Sequence, residues 1–109
     1  MATVNFPQVF EKLKEEVSEL ALSTVKSYKD QAMKDALKLI EDMKMDLNRW
    51  ALQLAEGKLS KTDFEYLVLG QKELIQMNAL KQAGLSLIKA DEFKNNILNL
   101  IVNTVTDLI

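Results

Sequence analysis

The interval from Gln8 to Glu56 contains neither glycine nor proline, and this feature constrains the fold of the chain more than any other. Loops and tight turns depend on those two residue types, so an interval of this length without them favours helix. All 109 residues together include only three glycines and one proline. Strong helix formers such as leucine, lysine, glutamate and alanine are common in the remainder. The sequence therefore predicts an all-α protein.

Apolar side chains recur through this interval in steps of mostly three and four residues, which is the spacing of one helix face. The pattern repeats about every eleven residues, which is about 3.67 residues per turn and close to the value for a straight helix. A stripe that keeps its phase for so long predicts one continuous helix of roughly 75 Å. The members of the stripe are Phe10, Leu13, Val17, Ala21, Val25, Tyr28, Ala32, Ala36, Leu39, Met43, Leu47, Trp50 and Leu54.

One short stretch of this first arm favours a break instead. Ser27 and Asp30 have the spacing of a capping box, in which each side chain bonds the backbone N–H of the other residue. If the helix breaks near Tyr28, the same sequence gives an up-down four-helix bundle rather than two arms. The sequence thus leaves two architectures open: an antiparallel long-helix hairpin with a kinked second arm, or an up-down four-helix bundle.

The clearest helix end and helix start lie at the middle of the chain. Gly57 suits the left-handed residue that follows a helix. Ser60 and Asp63 then have capping-box spacing, and Asn5 is the corresponding cap at the start of the first arm. We therefore expect a single helical domain over 1–109, with arm one at about 5–56, a turn at 57–59 and arm two at about 60–109.

The second arm is less regular than the first. Its apolar residues predict a helix face from Phe64 to Leu80, followed by an end or sharp kink at Gly84. We expect a break near 84–90 and a last helix that begins near Asp91. Gly70 and Gly84 lie two heptads apart, which suggests sites where helices pack closely, either between copies or within the hairpin.

The predicted last helix is apolar around most of its circumference. Asn96, Asn99 and Asn103 leave only a narrow polar seam without charge. A helix of this kind is buried, against its own chain or against a second one. In a two-armed hairpin it lacks partners, so self-association follows. The candidate interface residues are Phe93, Ile97, Leu100, Ile101, Val105 and Leu108.

The residue types that are missing exclude much of catalytic and metal chemistry. The chain has no cysteine and no histidine, so thiol nucleophiles, imidazole bases and most zinc or iron sites are ruled out. Carboxylates such as Glu41, Asp42 and Asp46 alternate with lysine and arginine, as on a solvated helix face. We predict no cofactor, no metal and no catalytic residue. An enzyme restricted to carboxylates and lysines would need a cleft that perturbs such a group.

The charge balance and the N-terminus bear on partners and location. The formal net charge is −2, without the basic surplus that binding to nucleic acid requires. We find neither a signal-peptide pattern nor a stretch long enough to span a membrane, which leaves the compartment open with the cytoplasm as the default. Met45 lies off the apolar stripe and is a candidate for an outside contact.

Two functions remain open at the level of the sequence. The first is a non-catalytic, self-associating structural or interaction protein, a scaffold or assembly subunit that works through apolar helix faces. The second is a helical protein that inserts into or coats membranes, because helices that lie on lipid surfaces use the same eleven-residue period. The negative charge of the long arm disfavours an anionic membrane. A helical partner of a different sequence could also bury these apolar faces.

Overall fold

The computed structural model of the chain describes residues 5–108 and contains no strand within that range. The prediction of an all-α protein is confirmed. Two short 3₁₀ segments, Lys26–Tyr28 and Gly70–Glu73, interrupt the α-helices. The α-helices are α1 (Phe6–Thr24), α2 (Lys29–Ala55), α3 (Lys61–Leu69), α4 (Asn78–Gln82) and α5 (Leu87–Leu108).

The first arm is divided, and the prediction of one continuous helix is wrong. α1 ends at Thr24 and α2 begins at Lys29. The side chains of Ser23 and Thr24 bond back to the carbonyl of Leu20, which competes with further helical bonding, and Val25 leaves the helical region at φ −127°. The predicted capping box does not form. The N-cap residue of α2 is Tyr28 rather than Ser27, and no side-chain hydrogen bond caps this helix. The longest dimension of the described chain is 48 Å.

The apolar stripe survives the break because the two helices pack against each other. Its members from Phe10 to Ala21 and from Ala32 to Trp50 are buried, while Val25, Tyr28 and Leu54 are partly buried. Since α1 contacts both α2 and α5, and α3 contacts α5, each helix covers the apolar face of another. The described chain therefore forms a helical bundle around one core.

The central turn has the local geometry that its residues indicate. Gly57 has a φ of +77°, and Lys58 N–H donates to the carbonyl of Gln53 over 2.9 Å, so a Schellman motif ends α2. Ser60 Oγ accepts from the backbone N–H of Asp63 over 3.0 Å at the start of α3. At the start of α1, Asn5 accepts from Gln8 N–H over a longer 3.3 Å.

The second arm is more irregular than its sequence indicates. The predicted helix face from Phe64 to Leu80 is interrupted, because α3 ends at Leu69. The last helix begins at Leu87 rather than near Asp91, with Ser86 Oγ accepting from Lys89 N–H over 3.3 Å. The predicted end of this arm, Ile109, lies outside the described residues.

Neither glycine of the second arm lies at a close approach of two helices within the chain. A Cβ atom placed on Gly70 or Gly84 would meet no described atom within 4 Å, so no helix packs closely there within the chain, and a contact between copies stays a prediction. Gly84 serves the backbone instead. Its φ is +101°, and Leu85 N–H donates to the carbonyl of Leu80 over 3.1 Å, completing the Schellman motif that ends α4.

Candidate functional site

Most of the predicted interface on α5 lies inside the bundle. Phe93, Ile97, Ile101 and Val105 are at most 2% exposed and belong to the core. Leu100 is partly buried and Leu108 is 52% exposed. A contact made by the intact fold can therefore use only Leu100 and Leu108 from that set.

A groove of about 580 Å³ runs between α1 and α5. The hydroxyl of Thr104 donates to Glu16 Oε2 over 2.8 Å across the two helices. The lining residues are Lys12, Glu16, Leu20, Asn96, Asn99, Leu100, Asn103, Thr104, Asp107 and Leu108.

The lining of the groove combines uncharged residues with charged residues of both signs. Its apolar members are leucines, and the asparagine seam predicted from the sequence lies beside them with exposed side chains. Lys12 Nζ is 3.8 Å from Glu16 Oε1, and Asp107 lies farther along α5. The leucines offer apolar contacts, and the amide side chains can both donate and accept hydrogen bonds, so the lining suits a mixed polar and apolar protein surface.

A second distinctive feature is the segment of residues 70–86, which we call the strap. It consists of the 3₁₀ turn Gly70–Glu73, a non-helical stretch, α4, and the turn that leads to α5. The strap supplies Met77 and Leu80 to the core and packs on α2 and α5. Its exposed residue Leu74 lines a cleft of about 340 Å³ against α2, together with Leu39 and Met43.

Asp35 of α2 holds the middle of the strap. Its two carboxylate oxygens accept the backbone N–H groups of Ala79 over 3.0 Å and Leu80 over 2.8 Å. The residue is only 5% exposed. A buried carboxylate that accepts two backbone bonds satisfies donors that the first turn of α4 leaves free. Sequence analysis missed Asp35, although its position three residues after Ala32 places it at the edge of the apolar stripe.

Lys94 of α5 holds the other end of the strap. Its ammonium group donates to the carbonyl of Lys72 over 2.9 Å and to that of Ile75 over 3.2 Å. It also lies 3.5 Å from Asp91, and its side chain is only 14% exposed. No sequence signal marked Lys94, because its acceptors are carbonyl groups that become available only where the strap leaves the helix.

The acidic clusters of the sequence lie on helix surfaces. Lys38 Nζ and Arg49 Nη2 each lie 2.9 Å from a carboxylate, of Asp42 and Asp46 respectively. Within residues 5–108, no group of three or more carboxylate side chains lies close enough together to hold a metal ion. Asp42 and Asp46 thus form charge pairs with neighbours about one helical turn away.

Met45 and Trp50 occupy opposite environments on α2. Met45 is 84% exposed, whereas Trp50 is 7% exposed and packs in the core. The guanidinium carbon of Arg49 lies 5.9 Å from the centre of the indole ring. Met45 is thus an exposed apolar side chain that does not line the groove.

Apolar side chains are also exposed where α1 ends and α5 begins. Leu22, Leu87 and Ile88 are each at least half exposed. Leu87 and Ile88 are neighbours at the start of α5, whereas Leu22 lies near the end of α1. Among the described helices, none has the length and the apolar content that crossing a bilayer requires.

Comparison with known proteins gives no relative from which a function could be transferred. No protein-family model matches the chain, and it has no significant match among curated proteins or solved structures.

Proposed function

We propose that this protein is a non-catalytic interaction protein that self-associates through the α1–α5 groove as a scaffold or assembly subunit. Its subunit is an up-down four-helix bundle in which α3 and the strap together take the place of the third helix. The observation that carries the proposal is an open groove between α1 and α5 whose lining consists mostly of leucine, asparagine and threonine. The absence of cysteine and histidine from the sequence supports a role without catalysis.

A second copy of the chain is the occupant that suits the groove best. In a symmetric pair the same surface is used by both copies, so it must be complementary to itself. Lys12 of one copy can face Glu16 or Asp107 of the other, while the leucines and asparagines meet at the centre. The net charge of −2 is small, so long-range repulsion between copies is weak.

The test is light scattering in line with size exclusion over a range of protein concentrations. A mass that is a multiple of 12.4 kDa is expected for the wild type. Asn103→Arg and Leu108→Asp should each shift the mass towards one chain and leave the helical circular dichroism unchanged, because both side chains are exposed. Met45→Asp is the matched control, since it places a charge on an exposed side chain outside the groove.

Two results would contradict this proposal. One is a wild-type protein that has the mass of a single chain at every concentration. The other is a multimer that both groove variants leave intact, because the contact would then lie elsewhere on the molecule.

A membrane-coating role is the second candidate, and the exposed neighbours Leu87 and Ile88 at the start of α5 favour it. Large apolar side chains exposed at a helix end can enter the boundary between headgroups and acyl chains. Flotation with neutral and with anionic vesicles tests this role. The double variant Leu87→Ser, Ile88→Ser should remove any binding, whereas Met45→Ser should retain it. No flotation of the wild type with either kind of vesicle would refute the membrane role.

A further inference from the structure

We propose that the strap opens as a unit while α1, α2 and α5 keep their helical structure. The strap is fixed by two polar attachments that come from outside it, Asp35 on α2 and Lys94 on α5. This device is independent of the self-association proposed above, because the strap does not line the α1–α5 groove.

The backbone of the strap makes few hydrogen bonds of the kind that stabilise a long helix. Residues 75–77 have no regular secondary structure, and α4 spans only Asn78–Gln82. The carbonyl groups of Lys72 and Ile75 depend on Lys94, and the N–H groups of Ala79 and Leu80 depend on Asp35. A segment held by side chains rather than by its own helical bonds opens at a lower free energy than a core helix.

The closed strap conceals apolar surface. Met77 and Leu80 are at most 1% exposed, and Leu39 and Met43 of α2 lie along the cleft beneath the strap. Opening would expose these side chains together, because the attachments at Lys72, Ile75, Ala79 and Leu80 lie on both sides of Met77. The strap therefore controls access to a patch that the closed bundle keeps from solvent.

Native-state hydrogen exchange of the wild type tests the proposal without any substitution. The amides of Ala79, Leu80 and Leu85 should exchange together and faster than core amides of α2. Their exchange rates should also depend less on denaturant concentration than those of the α2 core. The proposal would be overturned if these amides exchanged at the rate and with the denaturant dependence of the α2 core, because they would then open only on global unfolding.

Asp35→Ala should raise the exchange rates of the Ala79 and Leu80 amides on the order of ten- to a hundred-fold, since bonds to a charged acceptor are lost. Asp42→Ala is the matched control, because Asp42 lies on the same helix and lines the same cleft but is exposed. Equal acceleration in α1 and in the strap would indicate general destabilisation and would contradict a separate opening unit.

Lys94→Met tests the second attachment and keeps the proposal testable if Asp35→Ala does not fold. It should accelerate exchange in the strap, whereas Lys89→Met, an exposed position on the same helix, should not. Peroxide oxidation of methionines gives an independent measurement. Lys94→Met should increase the oxidation rate of buried Met77 by the same factor as strap exchange and leave exposed Met45 unchanged. An unchanged Met77 rate would refute opening at this site.

Discussion

The two interruptions of the helical bundle differ in what holds them. The first, at Lys26–Tyr28, is short, and the helices that it joins bury their apolar faces against each other. The second, the strap, is long and depends on Asp35 and Lys94, which lie on other helices. We refer to α1, α2 and α5 as the frame. The comparison shows two ways of holding an interruption between helices. The first depends on its neighbours in the chain, and the second depends on side chains that are distant in sequence.

The largest expected effect comes from placing a charge in each region. Ile101→Asp in the frame should lower the free energy of unfolding by about 3–5 kcal/mol, because the carboxylate is buried without a partner. Leu80→Asp is equally buried, yet we expect a loss of about 1–3 kcal/mol because the strap can open and hydrate the charge. Urea unfolding followed by circular dichroism measures both. Equal losses would remove the distinction between frame and strap.

A smaller effect is expected at the glycines. Gly57→Ala and Gly84→Ala should each destabilise by about 1–2 kcal/mol, because alanine is strained at their positive φ. Gly70 has a φ of −64°, so Gly70→Ala should instead stabilise by about 0.4–1 kcal/mol.

Thermal unfolding ranks these glycine variants, and hydrogen exchange locates their effects. We expect Gly57→Ala to accelerate exchange at the end of α2, and Gly84→Ala to act mainly on the strap. A loss of stability in Gly70→Ala would show that the 3₁₀ turn has packing requirements beyond its backbone angles.

The smallest effect separates the two serine caps. Ser60→Ala should cost about 1 kcal/mol, a usual value for an N-cap. Ser86→Ala should cost less, about 0.5 kcal/mol, because its bond is 3.3 Å long rather than 3.0 Å and it follows the strap. Chemical denaturation of the two single variants and the double variant measures the difference. A larger loss of stability in Ser86→Ala than in Ser60→Ala would contradict this prediction and show that the end of the strap contributes more to stability than the start of α3.

The parts of the fold that could be predicted from sequence are those that local chemistry decides. Helix content, the cap at Ser60 and the left-handed residues Gly57 and Gly84 each depend on neighbours within a few positions. The apolar stripe also identified most of the core of α1 and α2, although it could not show whether one helix or two carried it. Periodicity is the same in both cases, because a reversal of the chain folds the stripe onto itself.

The missed features depend on contacts between residues far apart in sequence. Asp35 bonds residues more than forty positions later, and Lys94 bonds carbonyl groups that exist as free acceptors only once the strap is formed. The α1–α5 groove was not predicted either, since it requires the break before α2. The apolar residues of α5 were identified, but their burial within the chain followed from that same break.

The position of Trp50 has a consequence for how the molecule appears in optical experiments. The indole lies in the frame about 22 Å along α2 from Asp35, so its emission reports the core near the end of α2. Trp50 is the single tryptophan of the sequence. A cooperative fluorescence transition would therefore record melting of the frame while the strap had already opened. Two spectroscopic signals that disagree in midpoint would be the simplest sign of a bundle whose parts unfold in sequence.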